Sequence, residues 1–187
     1  MNQDIENSLK VLRKGGIILY PTDTIWGIGC DATNSAAVKK IIDLKKRNLN
    51  KSMLILLDHI DNLGRYVKEI PEMAIELLAA TEEPVTIIYP GAINLAPQLI
   101  AADGSIGIRI TNDDFCRNLI FKLGRPLVST SANIEGKLTP GFFDQIDEEI
   151  INGVDYVVEH RQTDKMPRKP SEIIRIGLKG EVQIIRK

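Results

Sequence analysis

Cysteine is scarce in this chain and so is histidine: each occurs twice in 187 residues. Cys30 and Cys116 are too few for a disulfide framework and point to a reducing compartment. The same four residues supply no metal-ligand spacing. No sign of charge dominates, since the net charge is −1, which argues against a protein whose main task is to hold a long nucleic-acid backbone. There is no apolar run of membrane-spanning length, and residues 1–7 are polar, unlike a signal peptide. The expected setting is therefore cytoplasmic, with no membrane partner. Two nucleotide signatures are missing as well. Neither Gly-x-x-x-x-Gly-Lys-Ser/Thr nor Gly-x-Gly-x-x-Gly occurs, and Gly27-Ile-Gly29 is too short a match to count. No Ser-His-Asp or Cys-His arrangement is apparent; His59 and His160 read as surface residues in loops, and Cys30 as a small packed residue with no base or cation beside it.

What is present is the composition of a globular chain, 43% hydrophobic and 26% charged, long enough for one substantial core, so residues 1–187 are read as a single domain. Ile5, Leu9 and Leu12 recur at helical spacing, which predicts an amphipathic helix over 3–14 that Gly15-Gly16 ends. Residues 17–20 form a short strand that Pro21 closes. Residues 20–31 read as a loop after it, in which Gly27 and Gly29 permit positive φ or close approach of a ligand to the backbone. Asn34 or Ser35 caps a second helix carrying Val38, Ile41 and Ile42 on one face, followed by a polar loop over 45–51. Further strands are predicted at 53–57, 84–89, 105–110, 126–129 and 156–159, and further helices at 71–80, from an Asn112 cap to Gly124, and at 143–151. Residues 160–170 read as a basic loop, and 172–176 with 181–186 as a hairpin. Strands and helices interleave, so the fold class is α/β with a twisted mixed sheet.

Three polar constellations each follow an apolar segment. Thr22, Asp23 and Thr24 suit either one wall of a small-molecule site or a turn in which Asp23 bonds its own backbone. Lys45, Arg47 and Lys51 suit either a triphosphate or a solvated helix end. Ser129, Thr130, Ser131 and Asn133 suit either contacts to phosphate, ribose or carboxylate, or a hydroxyl turn.

In combination these segments are far more specific. The order is Tyr-Pro-Thr-Asp-Thr-Ile-Trp-Gly-Ile-Gly-Cys-Asp, then Leu-Lys-Lys-Arg with Lys51 downstream, then Pro-Val-Thr at 84–86 and Gly-Ile-Arg-Ile at 107–110. Pro-Leu-Val-Ser-Thr-Ser-Ala-Asn at 126–133 and Pro-Ser-Glu at 170–172 complete it. The chain resembles the YrdC family of threonylcarbamoyl-AMP synthases from residue 17 to residue 186, in its short stand-alone form. Three departures stand out: Glu83 before Pro84 where a Pro-Gly-Pro run is common, Trp26 in place of a tyrosine or phenylalanine, and Ile174-Arg175 where an acidic residue often sits. A sister group, the YciO-like proteins, shares the fold but lacks the full pattern, and the pairs Lys45/Arg47 and Ser131/Asn133 argue against it here.

The resemblance implies a YrdC-like twisted mixed sheet flanked by helices, with a deep concave cavity. It implies a nucleotidyltransferase that joins L-threonine, bicarbonate and ATP into threonylcarbamoyl-adenylate and pyrophosphate, with Mg²⁺ accompanying ATP and no protein metal site. A downstream transferase complex and tRNA are the implied partners. The family's triphosphate ligands fall on Lys45 and Arg47, the catalytic pair, with Lys51 beside them; Arg109, Ser131, Asn133, Ser171 and Arg186 fall on the nucleotide side, and Thr22, Ser129 and Thr130 on the threonine side. The competing expectation is a module that binds double-stranded RNA or tRNA, or matures ribosomes, without forming an adenylate. Lys45→Ala and Arg47→Ala are expected to leave the fold intact, because both residues fall in the polar loop of the sequence reading.

Overall fold

The computed structural model describes residues 1–47 and 53–187. Lys51 lies outside the described residues. Helix α1 (Asn2–Arg13) buries Ile5, Leu9 and Leu12, as their spacing requires, and gives way to Gly15 at φ +74°. Strand β1 (Ile18–Tyr20) stops at Pro21. The stretch after it is not all loop: β2 (Gly27–Gly29) pairs antiparallel with β1 and is wholly buried. Gly27 and Gly29 do not adopt positive φ. Gly29 instead makes room for neighbours within the protein, because a Cβ there would overlap the Val128 carbonyl and the Tyr20 ring.

Helix α2 (Ser35–Lys45) is capped by Asn34, whose side chain accepts from the Ala37 amide at 3.1 Å. Next come β3 (Leu54–Leu57), a 3₁₀ turn over Ile60–Arg65 that the apolar pattern did not announce, α3 (Glu72–Ala80), β4 (Val85–Tyr89) and β5 (Ile106–Ile110). Helix α4 (Asp114–Leu123) is capped by Asp113 rather than Asn112, through a 2.9 Å bond from the Cys116 amide. Strand β6 (Leu127–Ser131) runs two residues further than the expected segment over 126–129. The predicted helix over 143–151 is split into a 3₁₀ turn, Phe143–Gln145, and a short α5 (Glu148–Gly153). Strands β7 (Tyr156–Val157), β8 (Glu172–Ile176) and β9 (Val182–Arg186) close the chain.

Among the described residues there is one nine-stranded sheet in the order β7-β1-β2-β6-β3-β5-β4-β8-β9. It is mixed: β3 and β5 are parallel, as are β4 and β8, while β6 is antiparallel to both β2 and β3. Side chains alternate across the sheet, so register decides which residues share a face. One face is largely apolar from β2 to β8, with Ile28, Ile55, Leu57, Val128, Ile108, Ile87, Ile174 and Ile176 packed against Val38 and Ile41 of α2, Ala74 of α3 and Ile150 of α5. The other face is divided. Ile18, Tyr20, Leu56 and Leu127 pack under α1 and α4. Beyond them the same face carries Ser129 opposite Leu54, with Gly107 on the other side of Leu54 and Arg109 beside Leu56.

Candidate active site

That uncovered part of the second face holds a hollow of about 190 Å³. Among the described residues three cations line it: Arg47, just past α2; Arg109 of β5; and Arg186 of β9. Ser129, Thr130 and Ser131 line it from the end of β6, Thr24 and Trp26 from the stretch after β1, and Ser171 from the entry to β8. No aspartate or glutamate is among its described lining residues. Burial holds the Arg47 guanidinium below its ordinary pKa, and Glu135 opposes that shift. Burial, and then the neighbouring Arg109 cation, lower Arg186. A site that gathers partly desolvated arginines and hydroxyls is built for an anion of several charges.

Each wall is held by bonds that begin in the local sequence. In the stretch after β1 the Thr22 hydroxyl donates to the Ile25 carbonyl at 2.8 Å and accepts from the Thr24 amide at 3.0 Å. It also lies 3.0 Å from the Thr24 hydroxyl. A hydroxyl has one proton, and that of Thr22 is spent on Ile25, so Thr24 is the donor in that contact. Thr24, at the edge of the hollow, keeps only acceptor capacity toward a ligand. Thr22 itself faces a neighbouring crevice with Pro21, Arg161 and Arg168 instead of the main hollow. Trp26 is braced by Phe143, ring centroids 4.9 Å apart. On the far wall, Ser171 shares a 2.8 Å hydroxyl contact with Thr86, and its carbonyl accepts two bonds from the Arg186 guanidinium, at 3.1 and 2.7 Å.

Lys45 corrects the reading of 45–51 as a polar loop. It belongs to the last turn of α2 and is 1% exposed. Its ammonium donates to the carbonyls of Ser131 and Asn133. Burial, and then the Arg47 cation, push its pKa down to about 8, with Glu135 acting the other way. Lys45 thus ties the helix end to the turn after β6. Neither it nor Asn133 is among the residues that line the hollow. Asn133 spends its amide nitrogen on the carbonyls of Ile134 and Lys137, at 3.1 and 2.9 Å, and its buried Oδ1 has no described partner.

Asp23 corrects a second reading. It does not close a turn on its own backbone: its Oδ1 lies 3.0 Å from Arg109 Nη2, and its Oδ2 accepts from the Thr111 hydroxyl at 3.0 Å. No periodicity in the sequence joins positions 23 and 109; only the sheet brings them together. His160 also differs from expectation, since it is half-buried and stacked on Phe115 at 5.9 Å. Cys30 is fully buried, and burial raises its thiol pKa far above the ordinary range, so it is a packed residue as expected.

Fold and site together define a class: a mixed α/β protein that presents an arginine- and hydroxyl-lined hollow on one sheet face. The family model for Sua5, YciO and YrdC proteins, described as "Telomere recombination", matches residues 10–187. A threonylcarbamoyl-AMP synthase of Pseudomonas paraeruginosa is 35% identical over 129 residues, covering 68% of this chain and 69% of the relative. Among solved structures, P. abyssi Sua5 complexed with L-threonine superposes with a TM-score of 0.84 at 23% identity, over 94% of this chain. The chain spans about half, 52%, of that protein. E. coli YciO superposes with a TM-score of 0.85 at 22% identity, over 100% of this chain and 90% of that one. At these identities the two structures speak to the fold alone. The chain belongs to the Sua5/YciO/YrdC family.

Proposed function

We propose that this protein is an L-threonylcarbamoyladenylate synthase, and that the hollow is where L-threonine, bicarbonate and ATP meet. The observation that carries the reading is the gathering of Arg47, Arg109 and Arg186 around the hydroxyls of Ser129, Thr130 and Ser131, with no carboxylate among the described lining residues. The relatives named threonylcarbamoyl-AMP synthase and the threonine complex of P. abyssi Sua5 support the choice of substrates. YciO shares the fold, so the fold does not choose between the two groups; the paired Lys45/Arg47 and Ser131/Asn133 do.

In this reading the threonine amine bonds to the bicarbonate carbon to give a carbamate, while the bicarbonate C–OH bond breaks and the hydroxyl leaves as water with an amine proton. A carbamate oxygen attacks the α-phosphate of ATP, the bond from the α-phosphorus to the bridging oxygen breaks, and pyrophosphate leaves with that electron pair. Such a displacement depends on positioning and charge neutralisation and needs no covalent nucleophile. Arg47, Arg109 and Arg186 offset the phosphate charge, and the hydroxyls of Ser129–Ser131 orient the reactants. Thr24, left as an acceptor, suits an N–H of threonine or its carbamate better than a carboxylate. Thr22 acts one step back by fixing the proton of Thr24. Lys45 shapes the Ser131–Asn133 turn from behind.

Mg²⁺ enters with ATP. The described lining residues offer it no carboxylate, so no residue of this chain is assigned to it, and the triphosphate oxygens are its ligands. The product passes to a threonylcarbamoyl transferase complex acting on tRNA, in the cytoplasm. No described helix is long and apolar enough to cross a membrane.

The test is pyrophosphate release together with a mass spectrum of the adenylate. Product that appears only when threonine, bicarbonate and ATP are all present supports the reading, and its absence from folded protein overturns it. Steeply salt-dependent binding of double-stranded RNA or tRNA without any adenylate would favour an RNA-binding module.

A further inference from the structure

Arg109 is 3% exposed, and Asp23 balances its charge, yet the pair leaves guanidinium donors unused, as Arg161 beside Asp113 also does. Asp23 Oδ1 is 3.0 Å from Nη2, but the N–H groups are not aligned on it, and Nε and Nη2 of Arg109 have no hydrogen-bond partner among the described residues. A structural arginine–carboxylate pair would spend the guanidinium fork in two parallel bonds. Here the carboxylate supplies charge and withholds its geometry. The carboxylate in turn is pinned by Thr111, two residues beyond Arg109, through a 3.0 Å bond to Oδ2. Thr111 is fully buried, its amide donates to the Leu57 carbonyl at 3.0 Å, and its hydroxyl accepts from the Asp113 amide at 3.2 Å. Arg186 lies close enough to Arg109 to feel its charge, so without Asp23 two cations would face each other across the hollow.

We propose that Asp23, held by Thr111, is a positioning residue: it neutralises Arg109 inside the fold while leaving the arginine's N–H donors for an anionic group of the substrate. The consequence for turnover rests on the adenylate-forming reading, whereas the placement of the guanidinium does not. A buried cation with unspent donors is a cost in the empty protein and a ready-made contact once an oxyanion arrives.

The test is a double-mutant cycle with a spectroscopic arm. Asp23→Asn and Thr111→Val each lower kcat/KM about 10-fold or more, Thr111→Ser restores it, and Asp23→Asn adds less than about 2-fold in an Arg109→Lys background, because both changes act through one group. The Arg109 Nε–H resonance, assigned by its loss in Arg109→Lys, shifts in Asp23→Asn and Thr111→Val and stays in place in Thr111→Ser. Additive losses, or a resonance that Asp23→Asn and Thr111→Val leave unmoved, overturn the proposal. If Asp23→Asn fails to fold, the Thr111→Val and Thr111→Ser pair decides. A wild-type chain that makes no adenylate sinks the proposed function, and the resonance then decides the positioning by itself.

Discussion

The two faces of the sheet use the same strands to opposite ends. On one face most alternate residues from Ile28 to Ile176 are apolar and packed against helices α2, α3 and α5. On the other, α1 and α4 cover Ile18, Tyr20, Leu56 and Leu127, and beyond them Ser129, Gly107 and Arg109 share the face with Leu54. The first face carries the stability and leaves the second free to hold groups that stability alone would not select. Arg109 sits between Ile108 and Ile110 on one strand, so a single residue step separates core from site.

Truncating the packed face has the largest expected effect. Ile55→Ala, at a fully buried position, should cost about 3 kcal/mol of unfolding free energy, read from a denaturant midpoint, with KM values unchanged in the folded fraction. A loss confined to activity would break the division of labour between the faces.

Lys45→Ala comes next and reverses the expectation that the fold would not notice. It strips charge-assisted donors from the Ser131 and Asn133 carbonyls, which should cost about 1–2 kcal/mol even after the relief of burying no charge. Its pH signature is specific. Lys45 titrates near 8 in the folded protein and near 10.5 when unfolded, so between those values the unfolded chain holds the extra proton. The Lys45 contribution should therefore make stability rise from pH 8 toward 10.5 and stay flat below 8. Thermal midpoints of wild type and Lys45→Ala should draw further apart as pH rises from 8 toward 10.5, and a constant offset would reject the shifted lysine.

Arg47→Ala acts on the other face. It should lower kcat/KM for ATP about 10-fold while moving stability by less than about 0.5 kcal/mol, measured by pyrophosphate release beside a thermal melt. The smallest effect is expected at Ile184→Thr on the fully exposed strand β9, within about 0.5 kcal/mol and without change in turnover. A larger loss there would mean that the β8–β9 edge supports Arg186 more than its two bonds to Ser171 suggest.

Much of this was legible in the chain. The helices at 2–13 and 35–45 announced themselves by spacing and by the Asn34 cap, and the final hairpin by its glycine turn. The basic and hydroxyl clusters marked Arg47 and Ser129–Ser131, which line the hollow. Three features were not legible. Gly27–Gly29 looked like loop because glycine has weak strand propensity, yet its pairing with β1 and β6 makes it a strand. Lys45 and Arg47 looked alike because charge says nothing about burial. Asp23 looked like a turn residue because its partners lie far along the chain, at 109 and 111.

By itself the sequence determined the interleaved α/β order, the caps and breaks, and the residue types at the site, because these follow from local backbone preference and from alternation along a strand. Only the tertiary structure decided which cation is buried and which faces the hollow, which threonine keeps a free acceptor, and that Asp23 meets Arg109. Those outcomes depend on strand register and long-range pairing, and the free energy that selects them comes from contacts between segments that share no local pattern.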